Sequence, residues 1–322
     1  MRATRARLCS VVFITLLVAA ACGGDDAGGV SGDTPAEGAA AETGANTAAS
    51  VPFLLDLATG EETPLPENLV GDNTCGYLPS PDGTRVAYQT CGGGVYGSPE
   101  DVATVANIDG TDVRTLEVPE GLNAYVRAWS PDGTRVAYQL RSGGTRWDVG
   151  NLFVQDLSSG EQTQLTHLEL TSAPWYQLNM SFTPDGRSVV FHLPRSSSME
   201  TEWDVWSVPV TGGEPTLMLR NAAFPSYFPD GKHIAFVVPG TSAFDGHIIA
   251  IANEQGSRRT LVEVEPGYRW PSVSPDGSRI AYQVDGSIYV VDVSTGGPAA
   301  VGAEGYPEWL DDDTLIVTPP QP

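Results

Sequence analysis

The sequence is poor in positive charge and in cysteine, and it offers no convincing amphipathic helix. Its 322 residues hold 17 Lys and Arg against 40 Asp and Glu, a formal net charge of −23. Such a chain has little with which to neutralise a phosphate backbone, which excludes nucleic acid as a partner. The acid excess reads as a solvated surface, with a cationic partner or a divalent ion as the sharper alternative. The four cysteines are Cys9, Cys22, Cys75 and Cys91, and neither a further Cys pair nor a His pair has the spacing of zinc ligands.

Catalytic signatures are absent as well. There is no Gly-x-Ser-x-Gly elbow, no His-Glu-x-x-His and no glycine loop that would cradle a phosphate. His167, His192, His233 and His247 lie apart with no local partner pattern and read as structural or solvated. Asn107 to Asp112 lacks the alternating acids and closing Glu of a calcium loop, so it reads as a hairpin turn. No cofactor and no metal is expected, and the chain is not read as an enzyme.

Long apolar runs are confined to the start. Arg2, Arg5 and Arg7 precede Leu8 to Ala21, which is too short to cross a bilayer. Ala19-Ala20-Ala21-Cys22-Gly23-Gly24 then places small residues before a cysteine. This segment resembles a bacterial lipoprotein signal, with Ala19 where that family prefers Leu. The resemblance implies removal of residues 1–21, lipidation of Cys22 and a mature chain held on the outer face of the membrane. An unlipidated secretory signal is the alternative. Losing residues 1–21 removes three Arg and no acid, so the remaining net charge is −26. Residues 22–50 are mostly Gly, Ala, Thr, Asp and Glu with Val30 as the one large apolar side chain, and read as a disordered tether.

What is abundant is repetition. Ser80-Pro81-Asp82-Gly83-Thr84-Arg85-Val86-Ala87-Tyr88 returns at Ser130 to Tyr138, Thr183 to Phe191, Phe228 to Phe236 and Ser274 to Tyr282. Pro-Asp presets a type I turn and the next Gly accepts the left-handed conformation, so each copy predicts a hairpin corner. The turn aspartates 82, 132, 185, 230 and 276 are 50, 53, 45 and 46 residues apart, a period suited to propeller blades. The strands that follow carry a small residue between two larger ones and need cover on both faces, which neighbouring blades supply.

A third and a fourth strand follow each copy, as at Asn151 to Leu157 and Gln162 to Thr166. Tyr306 to Val317 reads as a sixth, degenerate first pair, with Asp313 in the glycine slot and one residue fewer. The strands it lacks are found at Pro52 to Leu57 and Thr63 to Leu65. Residues 51–322 are therefore expected to form an all-β, six-bladed propeller of four-stranded antiparallel blades. Its ring is closed by N- and C-terminal strands sharing one blade, which removes the open edges.

Trp129 to Gly133, followed by a strand of the Ile-Ala-Tyr type, resembles the WD-like repeat of TolB-type six-bladed propellers. That family includes a periplasmic protein that docks partners on its propeller, gates in front of prolyl-oligopeptidase hydrolases, and envelope lipoproteins. Only the tether precedes Val51 and nothing follows the propeller, so neither the α/β domain of the first nor the hydrolase of the second is expected here.

In the first hairpin, cross-strand partners sum to about 165, which sets Cys75 against Cys91 and suits a disulfide in an oxidising envelope. The slots five to eight residues before each turn Asp hold Tyr77, Tyr125, Arg127, Tyr176, Phe224, Tyr268, Arg269, Trp270 and Tyr306. With Arg146 and Trp147 of a long loop, Tyr125, Arg127, Tyr176, Tyr268, Arg269, Trp270 and Tyr306 are candidate partner-binding residues ringing one mouth of the channel. Blade-to-blade packing is the competing reading for these aromatics.

The expected function is that of a monomeric, lipid-anchored envelope module binding a protein or peptide. A lactonase-like enzyme with a metal in the channel, for which Glu308, Glu304 and Asn179 are the available ligands, is one alternative. A glycan-binding or purely structural envelope protein is the other.

Overall fold

A computed structural model describes residues 51–71, 74–90, 102–120, 122–142, 150–168, 179–195, 202–240, 248–263 and 270–320. These residues form strands and turns. β1 (Phe53–Asp56) and β2 (Glu62–Pro64) come first. Blade 1 is β3 (Thr74–Pro79), β4 (Arg85–Thr90), β5 (Val102–Asn107) and β6 (Arg114–Thr115). Blade 2 is β7 (Leu122–Trp129), β8 (Arg135–Ser142), β9 (Leu152–Asp156) and β10 (Gln162–Gln164). Blade 3 is β11 (Met180–Phe182), β12 (Ser188–Pro194), β13 (Trp203–Pro209) and β14 (Thr216–Arg220). Blade 4 is β15 (Ala223–Tyr227), β16 (His233–Val238), β17 (Ile248–Asn253) and β18 (Arg258–Glu263). Blade 5 is β19 (Ser272–Val273), β20 (Arg279–Val284), β21 (Ser287–Asp292) and β22 (Pro298–Glu304).

Blade 6 combines β23 (Tyr306–Trp309) and β24 (Thr314–Thr318) with β1 and β2, in the order β2-β1-β24-β23. Antiparallel pairing sets Phe53 opposite Val317 and Asp56 opposite Thr314. The ring is continuous: β3 touches β7, and contacts pass on to β11, β15, β19 and β23, which returns to β3. The six-bladed propeller expected from the repeat is the structure found, with the two ends of the folded segment sharing a blade.

The turn motif works as its chemistry dictates. Ser80 Oγ donates to Asp82 Oδ1 at 2.6 Å, and Asp82 Oδ1 accepts from Thr84 N at 3.1 Å and Thr84 Oγ1 at 2.8 Å. Gly83 has φ of 67° and closes the turn by donating to Ser80 O at 2.9 Å. A Cβ there would stand 2.9 Å from the Leu310 carbonyl oxygen of the neighbouring blade, so glycine is required twice over. In blade 6, Asp311 Oδ1 takes the aspartate's part, accepting from Asp313 N and Thr314 N at 2.9 and 2.8 Å.

The small-between-large strands pack asymmetrically. Ala87 belongs to a core shared with Ala124, Val126 and Trp129 of blade 2, whereas Val86 and Tyr88 pack with Ile316 and Leu65 of blade 6. The small side chain lets the next blade approach; the large pair fills the gap behind. Each fully buried ring or branched side chain of this kind contributes about 1.5–3 kcal/mol.

The expected Cys75–Cys91 pairing meets an irregular register. Thr74 stands opposite Thr90 and Tyr77 opposite Tyr88, with a bulge between that takes up Cys75. The Cys75 side chain and Cys91 lie outside the described residues.

Candidate functional site: the channel mouth

The innermost strands β3, β7, β11, β15, β19 and β23 line the channel, each running from the mouth toward its turn. Four residues before the turn aspartate, the same slot holds Leu78, Ala128, Ser181, Ser226 and Ser272. Trp309 pairs with Leu315 as Trp129 pairs with Val136, so Glu308 is the sixth member. Three consecutive blades thus present serine hydroxyls, and a carboxyl closes the series.

These hydroxyls stitch blades together. Ser181 Oγ accepts from Tyr227 N and Ser226 Oγ from Val273 N, both at 3.3 Å. Ser272 Oγ instead donates to Glu308 Oε2 at 2.8 Å. Glu308 keeps some contact with the channel, but six blades surround it, and burial raises its carboxyl to about 7 against the opposing pull of the Ser272 hydroxyl and the Arg127 charge.

Two residues before Ser226, Ser272 and Glu308 stand Phe224, Trp270 and Tyr306: Tyr306 shares the face of Glu308 on β23, Trp270 lies just ahead of β19, and Phe224 sits in a register shift of β15. Their rings form a line: Phe224 to Trp270 at 6.1 Å and Trp270 to Tyr306 at 5.7 Å between centroids. The corresponding slots of blades 1 to 3 hold Gly76, Val126 and Asn179. Among the described residues the mouth is therefore two-sided, with the Trp270 and Tyr306 rings above hydroxyl and carboxyl groups on blades 5 and 6 and the buried Phe224 ring beside them.

The aromatic line is anchored from behind. Phe224 has φ of 53°, a costly conformation for a bulky side chain, and donates its backbone N–H to His192 Nδ1 at 3.0 Å. His192 is fully buried between Trp203 and Phe224, whose rings lie 5.1 and 4.7 Å away. Burial lowers its basicity to about 3. His192 is thus structural, as the sequence led us to expect.

The candidate binding residues divide. Tyr306 is 37 % exposed and Trp270 is half-buried beside it. Tyr125, expected at the surface, is only 1 % exposed; its ring lies under the Arg127 and Arg141 guanidiniums, each 5.7 Å from the centroid. It packs rather than offering itself to a partner. Arg127 sits in a β7 register shift between Val126 and Ala128, on the innermost strand. Tyr77 and Phe224 are buried too. Arg146, Trp147, Tyr176, Tyr268 and Arg269 lie outside the described residues.

Of the three carboxylate or amide groups considered as metal ligands, only Glu308 lines the channel waist. Asn179 lies ahead of β11, and Glu304 ends the outermost strand β22 of blade 5, opposite Ser287. Among the described residues no three His, Cys, Asp or Glu side chains converge as a metal site. Sequence reasoning named Glu308 but missed the run of Ser181, Ser226 and Ser272 and the aromatic-over-hydroxyl layering; counting back from each turn aspartate carries that signal.

Comparison with known proteins bears on this architecture. The profile of the TolB beta propeller domain matches residues 77–298. The chain belongs to the TolB beta propeller domain family. This TolB-type propeller is 29% identical over 152 residues to an uncharacterized protein of Agrobacterium fabrum, a match covering 43% of this chain and 48% of that one. It spans about half the length of that relative. The crystal structure of TolB from Acinetobacter baumannii superposes with a TM-score of 0.57 at 16% identity, covering 83% of this chain and 63% of that one. A putative TolB from Agrobacterium tumefaciens gives 0.46 at 16% identity over 83% and 96% of the two chains. At such identity the Acinetobacter likeness shows the fold.

Proposed function

We propose that this TolB-type propeller is a binding module of the bacterial cell envelope whose channel mouth holds a protein or peptide partner. The observation that carries the reading is the Trp270–Tyr306 pair, rings 5.7 Å apart at the rim with Tyr306 exposed. Aromatic anchors at the edge of a concave polar site are what hot spots are made of, because they bury large area with few rotamers to freeze. The rigid ring of blades beneath holds them in place without a cost of ordering on binding.

Location follows from the lipoprotein-like Ala19 to Gly24 segment: Cys22 carries the lipid and residues 22–50 let the propeller stand off the outer face of the membrane. Cys75 and Cys91 form a disulfide bracing the first hairpin near the mouth. The propeller acts as a monomer and carries out no chemistry of its own.

The test is dependence of binding on the mouth. Envelope proteins retained by the full chain are compared with those retained by Trp270→Ala, Tyr306→Ala and, on the opposite face, Thr84→Ala. A partner lost by both mouth variants and kept by Thr84→Ala supports the reading. A partner retained equally by all three, or lost only by Thr84→Ala, refutes it.

A further inference from the structure

We propose that the arc of blades 4 to 6 receives a basic side chain of the partner, its stem lying against Trp270 and Tyr306 and its head group reaching Glu308. This rests on the mouth being the binding face and adds the chemistry of what enters it.

The geometry is a two-layer site. Tyr306 and Glu308 are two apart on β23 and so share a face, about 7 Å along the strand. One blade away, Trp270 stands two residues before Ser272, just ahead of β19. The upper layer is the Trp270–Tyr306 ring pair, 5.7 Å between centroids; the lower is the Ser272–Glu308 hydrogen bond of 2.8 Å. That bond uses Glu308 Oε2, and the residue as a whole is only partly buried on the innermost strand. A lysine or arginine side chain has the matching layout, an apolar or planar stem that stacks on rings and a cationic head beyond it.

Charge points the same way. Among the described residues β15, β19 and β23 carry no Lys or Arg, while Arg269, beside Trp270 in the sequence, lies outside them. The charge that bears on Glu308 is Arg127, which comes from blade 2 on another side of the channel and rests over Tyr125. The whole chain carries a net charge of −23, so a basic partner tip is drawn toward it and an acidic one repelled. An entering cation also stabilises the ionised form of Glu308, which the blades disfavour.

The experiment is an equilibrium titration of the full chain with short Gly/Ser peptides carrying a single arginine, a single lysine, a single glutamate or no charge. The arginine and lysine peptides are expected to bind the wild type more tightly than the others. Glu308→Gln should weaken them by about tenfold or more, the loss typical of removing one member of a close charge pair, while Glu62→Gln on the exposed outer strand β2 leaves them unchanged. Glu308→Gln keeps an acceptor for Ser272 and so the fold; Tyr306→Ala at the rim is the second variant, expected to weaken the same peptides. Equal binding of the glutamate or neutral peptide, or equal losses in Glu308→Gln and Glu62→Gln, overturns the proposal. The two readings separate cleanly: a protein partner that depends on Trp270 and is indifferent to Glu308→Gln sinks this inference alone, whereas a partner indifferent to Trp270 sinks the mouth itself.

Discussion

The Arg85 guanidinium lies 5.0 Å above the Trp129 ring of the next blade and donates through Nη2 to the Gly133 carbonyl in that blade's turn. The same clamp recurs where Arg135 lies 5.7 Å above Phe182 and bonds Gly186 O at 2.9 Å, and where Arg279 lies 5.1 Å above Trp309. In the other three interfaces the paired slots hold Ser188 with Tyr227, His233 with Val273 and Thr314 with Pro79. His233 turns back to its own Asp230 at 2.5 Å instead. Each of the three arginines faces a large ring, and the Tyr227 ring is the one that faces a serine instead.

Arg135→Ala is therefore expected to lower stability by about 1–2 kcal/mol, the sum of a partly desolvated cation–π contact and one hydrogen bond. Ser188→Arg, facing the Tyr227 ring, should add about 0.5–1 kcal/mol. His233→Arg, facing Val273, should add none. Denaturant unfolding of the three variants checks this, and an equal gain for Ser188→Arg and His233→Arg would show that the ring is irrelevant.

Two buried groups give the propeller a specific pH response. Glu308 holds its proton to about pH 7 when folded, against an ordinary value of 4.5, so between those values the folded state binds more protons and stability falls as pH rises. His192 stays neutral down to about pH 3, against 6.5 when unfolded, so from 3 to 6.5 the unfolded state binds more protons and stability rises with pH. The two oppose each other between 4.5 and 6.5. Thermal unfolding of the wild type should be nearly flat there. Glu308→Gln should instead gain stability steadily across that window and exceed the wild type above pH 7 by up to about 3 kcal/mol, less the screening by channel water. An identical pH profile for the two proteins would contradict the burial of Glu308.

His192 also holds the strained backbone at Phe224. His192→Ala removes the acceptor of the Phe224 N–H and opens a cavity against Trp203. A loss of about 3–4 kcal/mol is expected. Phe224→Gly relieves the positive φ but deletes a buried core ring, so it should also cost about 3 kcal/mol.

Ring closure carries its own test. Leu55 is buried in a core with Leu315, Val317 and Trp309 from the far end of the folded segment. Deleting residues 52–65 bares the β24 edge, and such an edge invites pairing between chains. Light scattering after size exclusion should show association of the deletion variant and a single chain for the parent.

Anchoring is checked by fractionation. Cys22→Ser should move the protein from the membrane to the soluble fraction, and the intact mass of the parent should carry a lipid on Cys22. Non-reducing mass analysis of the same sample reads the Cys75–Cys91 disulfide.

Much of this was legible in the sequence because turn chemistry is local. Asp82 and Gly83 set their corner through contacts within a few residues, so five copies announce six blades, and the stray strands at Phe53 and Thr314 could be matched by counting. The mouth was less legible because side-chain direction depends on register. A bulge between Val126 and Ala128 turns Arg127 inward while Tyr125 packs beneath it, and a bulge beyond Thr74 takes up Cys75; neither has a signature in the residues themselves. Glu304 and Glu308 are four residues apart in sequence, yet Glu304 pairs with Ser287 in the outermost strand of blade 5 while Glu308 lies on the innermost strand of blade 6.

The most direct test of the mouth as the binding face is photocrosslinking in the intact envelope. A benzophenone side chain is placed at Tyr306, at the rim, or at Thr84, in the exposed turn at the opposite end of the channel. Specific adducts from position 306 and none from position 84 are expected; adducts from position 84 alone, or equally from both, would contradict the account.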